Sequence, residues 1–185
     1  MKGVNPMKKT IAAGVLALLL TAGCATMMSF EEREKTYGKE APAITEAFAA
    51  KQMKPGDVWK IYLKAADPGG DMHRIAAVVN QPGMGPYPIS FTKIPQGNGK
   101  ELSGYVYLNT LGSYGTEWQN FLTISVTVQV QDRAGHFSEP VSFPLTLQTR
   151  YTQEPPPPGK FKEDNLGPIL VELRPPDGGL GSSFY

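Results

Sequence analysis

The chain has 185 residues, 18 basic against 17 acidic side chains, a single cysteine, 20 glycines and 17 prolines. That near-neutral balance carries no electrostatic footprint for nucleic acid, and one cysteine excludes an internal disulfide framework or a cysteine zinc site. The proline and glycine content points to many turns and little helix.

In chain order, residues 1–23 read as an export signal. Lys8 and Lys9 precede an apolar run over 11–20, and Leu20-Thr21-Ala22-Gly23-Cys24 closes it with small residues. The run is too short to span a hydrocarbon core, which needs ~20 apolar residues. The pentapeptide resembles the lipobox of bacterial lipoproteins, with Thr21 where leucine is commonest. That resemblance implies cleavage before Cys24 and acyl chains, palmitate among them, on the new N-terminus. Ala25, in place of an inner-membrane retention aspartate, implies the cell outer membrane. Cleavage would leave 162 residues with 15 basic and 17 acidic side chains. Attachment would then rest on acyl chains rather than on a polybasic run for anionic lipid.

Residues 24–41 are polar, with Glu31-Glu32-Arg33-Glu34-Lys35 mixing charges, and read as a tether with at most a nascent helical turn. From residue 42 the pattern becomes β. An initial strand is expected over 44–53. After the turn Pro55-Gly56-Asp57, residues 58–65 alternate, with Trp59, Ile61, Leu63 and Ala65 inward and Lys60, Tyr62 and Lys64 outward. Further strands are expected over 75–79, 89–94 and 102–109, the last following the hairpin-type turn 96–100. The clearest alternation runs over 121–131, with Leu122, Ile124, Val126, Val128 and Val130 on one face and Thr123, Ser125, Thr127, Gln129 and Gln131 on the other. One buried and one wet face implies antiparallel packing. Residues 141–147 alternate again, and Pro144 on their polar side predicts a sheet edge or a bulge there. About seven strands separated by turns predict an all-β, two-sheet antiparallel sandwich over 42–151. Pro155 to Pro158 predict a polyproline II linker within 152–160. The tail 161–185 carries the apolar cluster Ile169-Leu170-Val171, which would pack back on the sandwich or add a strand to a partner's sheet, and ends on Phe184-Tyr185.

Two segments carry a family resemblance. Residues 55–71, Pro-Gly-Asp-Val-Trp-Lys-Ile-Tyr-Leu-Lys-Ala-Ala-Asp-Pro-Gly-Gly-Asp, resemble the second strand and following turn of bacterial Ig-like, fibronectin type III-like and cadherin-like domains. Asp132-Arg133-Ala134-Gly135-His136-Phe137-Ser138 is similar to their penultimate turn, with His136 where asparagine is usual. The resemblance implies an Ig-like fold, and a fold of that kind specifies no function.

Three groups of residues are candidates for chemistry. Asp67, Asp71 and Asp132 would form a calcium site if their two turns converge, since calcium takes clustered carboxylate and carbonyl oxygens; the same residues are ordinary turn formers that cap their own backbone. Tyr105, Tyr107, Tyr114 and Trp118 could form an exposed platform for sugar rings or a protein partner, or pair across strands and plug the end of the sandwich. His136 with Asp132 and Ser138 suggests a triad, but positions four and six apart in one turn do not supply its geometry, so a polar residue holding the turn is expected. His73 and His136 stand in no metal-ligand spacing. The loop 81–86 lacks the lysine and glycine spacing of a phosphate loop, and its expected exposure would make Met84 a candidate contact residue.

No catalytic constellation or resident cofactor is visible. The function expected is a lipid-anchored, non-enzymatic binding or scaffolding module of the cell envelope, joined to the membrane through its lipid and to another envelope protein. The alternative is a carbohydrate- or peptidoglycan-binding module; an enzyme is the third class.

Overall fold

A computed structural model describes residues 28–176. The signal, Cys24, and the terminal Phe184-Tyr185 lie outside the described residues. The chain enters through α1, Phe30–Tyr37. Ser29 and Glu32 build a reciprocal cap: Glu32 N–H donates to Ser29 Oγ at 3.2 Å, and Ser29 N–H donates to Glu32 Oε2 at 2.8 Å. Eight residues are too few for a helix to persist alone in water, so α1 depends on what it docks against. No described helix is long and apolar enough to cross a membrane.

The rest is mostly β, in two sheets packed on one another. The strands are β1 (Ala43–Ala49), β2 (Gln52–Met53), β3 (Val58–Ala66), β4 (Met72–Gln81), β5 (Gly85–Pro86), β6 (Ser90–Lys93), β7 (Glu101–Asn109), β8 (Thr123–Asp132), β9 (Val141–Leu147) and β10 (Asn165–Pro168). A four-stranded sheet runs β1-β3-β7-β10. A six-stranded sheet runs β2-β9-β8-β4-β5, with β6 also on β4.

The period-two expectations explain the core. Trp59, Ile61, Leu63 and Ala65 of β3 pair in unbroken register with Leu108, Val106, Gly104 and Leu102 of β7. They face Ile124, Val126, Val128 and Val130 of β8, Ile75, Ala77 and Val79 of β4, and Phe143, Leu145 and Leu147 of β9. Trp59 is fully buried, and its Nε1 donates to Ala50 O at 2.8 Å, so its polar edge is satisfied. At Pro144 the edge expectation fits: β2 pairs with β9 only at Thr146 and Leu147.

Three expectations are corrected. The sheets are mixed rather than purely antiparallel, because β2 runs parallel to β9 and β10 parallel to β7. The single strand expected over 44–53 divides between sheets: backbone donors of Thr146 and Gln148 capture Lys51 O and Met53 O, pulling the chain across after β1. The described part of the tail, residues 161–176, finally, extends the sandwich beyond its expected end at 151. Residues 148–164 carry the chain from β9 across to the other sheet, where β10 lies parallel to β7. Leu166, Ile169 and Leu173 then join the core, while Thr92 Oγ1 donates to Pro168 O and Leu170 N–H donates to Ser90 Oγ. Of the two fates open to Ile169-Leu170-Val171, the structure shows packing within its own chain. Gly104 permits it: a Cβ there would stand 2.5 Å from Asp164 O.

Candidate functional site

The sandwich has two distinct ends. At the helix end, turns 67–71, 94–100 and 132–136 meet under α1. At the loop end, about 30 Å away along β3 at ~3.3 Å per residue, lies the connection 110–122.

The helix end does bring Asp67, Asp71 and Asp132 together. Asp67 accepts from Gly69 N–H and Asp71 N–H, and Asp71 Oδ2 accepts from Arg133 N–H. Asp132 Oδ1 accepts from both Gly135 and His136 N–H, at 2.6 and 2.8 Å. Asp67 and Asp132 thus cap backbone donors of their own turns, and Asp71 ties its turn to the one after β8. Among the described residues no group of His, Cys, Asp or Glu is placed to hold a metal ion. Burial, then the neighbouring Asp67 and Asp132, push the Asp71 carboxyl above the usual range.

His136 sits between two carboxylates. Its Nδ1 lies 2.9 Å from Asp132 Oδ2 and its Nε2 3.1 Å from Glu34 Oε1 on α1. The Glu34 contact, then Asp132, raises the imidazole pKa against the opposing effect of burial. The Phe30 ring meets the imidazole edge-on, 5.3 Å between centroids. Ser138 is buried and committed elsewhere: its Oγ accepts from Val130 N–H and donates to Glu139 O. With both ring nitrogens bound to carboxylates, His136 latches α1 to the sandwich. Its role in holding the turn was legible from its position; Glu34, remote in sequence, was not.

Beside this latch opens a cleft of about 830 Å³, lined by Arg33, His73, Lys93, Lys100 and Arg133, with Asp71 as its one carboxylate and Met28, Tyr37, Met72 and Ile94 as its apolar wall. Burial, and then the charges of Arg133, Arg74 and Lys93, lower the His73 pKa.

The four candidate aromatics are dispersed. Tyr105 lies on the outer face of the four-stranded sheet, where Lys60 Nζ sits 4.3 Å above its ring and Tyr62 packs 5.5 Å away. Phe161 and Glu163 strap that cluster from above, so Tyr62, expected outward and wet, is buried. Tyr107 lines a groove with Ile169, Leu170 and Glu172. Trp118 packs against the core, its Nε1 buried without a hydrogen-bond partner, while Tyr114 is 43% exposed.

What sequence reasoning missed at the loop end is aliphatic and aromatic exposure. Leu111 is 59% and Phe121 67% exposed, and Phe121 holds φ at +68°, a conformation unfavourable for a side chain of its bulk. The available signal was Phe121's phase: it falls with Thr123 and Ser125 on the outward face of its alternation.

Compared with known proteins, the chain matches no family model, no curated protein and no solved structure.

Proposed function

We propose that this chain is a lipid-anchored, non-enzymatic binding module of the bacterial envelope. Cys24 would carry the lipid on the outer membrane, and the loop end would be presented to another envelope protein. The observation that carries the reading is the loop end itself. Leu111, Tyr114 and Phe121 expose large apolar surface on one connection, and Phe121 does so in a strained backbone conformation. Strain of that kind persists where surrounding structure enforces it, and it concentrates at working sites. The polarity of the fold supports the rest: Met28, four residues after Cys24, lies at the opposite, helix end.

An Ig-like assignment is part of the proposal. In the Ig arrangement one sheet holds strands A, B and E and the other C, F and G. The order β1-β3-β7 against β9-β8-β4 supports that correspondence, with β10 standing where strand D would lie. The non-enzymatic reading draws support from His136, whose two nitrogens are already engaged, and from Ser138, which is turned into the backbone of β8.

Photo-crosslinking residues placed at Leu111 and Phe121 in intact cells test the partner. Capture of one defined envelope protein from these sites, and not from the exposed Ser142 on the six-stranded sheet, is the expected result. Equal capture from all three positions, or retention on peptidoglycan alone, would overturn it. Metabolic labelling with an alkynyl fatty acid should mark the wild-type chain and fail on C24A; an unlabelled wild type removes the anchor.

A further inference from the structure

We infer that the cleft at the helix end binds a phosphate-bearing anion. Its cations come from four separate places in the chain: Arg33 on α1, Lys93 at the end of β6, Lys100 before β7, and Arg133 after β8, with His73 of β4 among them. Among the described residues none of these four cations forms a salt bridge; the ion pairs lie elsewhere, at Lys60, Lys64, Lys160 and His136. Arg33 Nε is buried and has no hydrogen-bond partner. A buried cationic donor without an acceptor is costly, and negative charge held beside the Arg33 guanidinium offsets part of that cost.

The opposing charges are few. Asp71 is the only carboxylate in the lining, and its Oδ2 already accepts from Arg133 N–H. Asp132 and Glu34 stand behind the cleft, committed to His136. Asp67, buried behind Asp71, is occupied in capping Gly69 and Asp71 N–H, so four positive charges line an open cleft of about 830 Å³ whose lining holds one carboxylate.

Phosphate suits that arrangement better than a carboxylate. Its several oxygens accept from guanidinium forks and ammonium groups converging from different directions. Met28, Met72 and Ile94 add an apolar wall beside the charges, which fits the glycerol or acyl stem of an organic phosphate. A membrane phospholipid headgroup and a free phosphate share this chemistry. Geometry connects the site to the first of these, on the lipid-anchor reading. Cys24 lies within about 14 Å of Met28 at ~3.5 Å per residue, so the cleft mouth would open close to the headgroup layer. No linear run of basic residues announces it; the fold assembles it from residues up to a hundred positions apart.

The test uses the full chain in neutral detergent, titrated with inorganic phosphate and with glycerophosphoglycerol, each against sodium chloride at equal ionic strength. Binding is read by calorimetry and by amide and imidazole NMR shifts. Saturable binding that moves the resonances of His73, Lys93 and Lys100, with the His73 pKa rising, is expected. The paired substitution K93Q/K100Q should weaken it about tenfold or more, as loss of charge-assisted contacts does. The pair K51Q/K54Q, equally exposed but remote, should leave it unchanged. Both double variants are checked for native thermal unfolding, and R133Q serves if K93Q/K100Q does not fold. Binding of glycerophosphoglycerol alone assigns the site to lipid headgroups; equal binding of inorganic phosphate assigns it to free phosphate. No saturable response beyond chloride, or equal loss in K51Q/K54Q, overturns the inference. A chain that fails to label at Cys24 and still binds phosphate separates this result from the lipid-anchor reading.

Discussion

The two ends of the sandwich are built on different principles. The helix end is a network: two turns capped and bridged by three aspartates, a histidine shared between two carboxylates, and a short helix held by that histidine. Its cleft is lined by Arg33, Lys93, Lys100 and Arg133. The loop end is held mostly by caps on backbone groups, with no histidine–carboxylate network among the described residues. Gln119 Nε2 donates to Thr110 O and Gly56 N–H donates to Thr110 Oγ1, yet Trp118 Nε1 and Gln119 Oε1 are buried without partners, against Arg33 Nε at the helix end. Its surface is apolar. A polar network fixes geometry through many directional bonds, while a loop with unsatisfied buried atoms and a strained phenylalanine leaves stability unclaimed. That contrast says where substitutions should hurt and where they should help.

The largest effect is expected from D132A at the helix end. It strands the Gly135 and His136 N–H groups and removes one partner of His136, so it should cost about 3 kcal/mol in urea unfolding. A loss below ~1 kcal/mol would show that the network does not hold this end. At the loop end Q119A removes a single buried bond and should cost about 2 kcal/mol; a loss equal to that of D132A would erase the contrast.

Smaller, and dependent on pH, is E34A, which should lower stability by about 1 kcal/mol at mildly acid pH by unlatching α1. His136 is held above its ordinary range by Glu34 and Asp132. A raised folded-state pKa gives stability that is complete below the unfolded value of about 6.5 and fades as pH rises through the folded value. The wild type should therefore lose protection of α1 amides as pH climbs above that range, measured by hydrogen exchange, and E34A should show a shallower dependence. A wild-type profile that strengthens with pH would contradict the latch. The smallest effect is a gain. F121G removes the penalty of a positive φ and should stabilise by about 0.5–1 kcal/mol, while abolishing capture of the proposed partner at that site. A destabilised F121G would mean that its ring carries packing the exposure does not suggest.

Much of the fold was legible where one face of a strand is buried and the other wet. Ile124, Val126, Val128 and Val130 announce β8, and Trp59, Ile61, Leu63 and Ala65 announce β3, because side chains alternate between faces whatever lies beyond the strand. Pro144 marked an edge because it cannot donate to a ladder. The helix was under-read: Ser29 and Glu32 already spell a capping box, but its eight residues form a helix only with His136 to dock against. The aspartates were legible as turn residues, and their convergence was an open condition that the pairing of β4 with β8 meets, through Met72↔Asp132.

The sequence by itself determined the alternating strands β3, β7, β8 and β9, the core faces they bury, and the residues that close the turns, since these follow from local periodicity and backbone chemistry. Only the tertiary structure decided that residues 165–173 complete the sandwich, that Glu34 reaches His136, and that Arg33, Lys93, Lys100 and Arg133 surround one cleft. Those groupings depend on long-range contacts, and a charge balance near zero conceals them: like charges far apart in sequence become a site only when sheet pairing brings their turns to the same end.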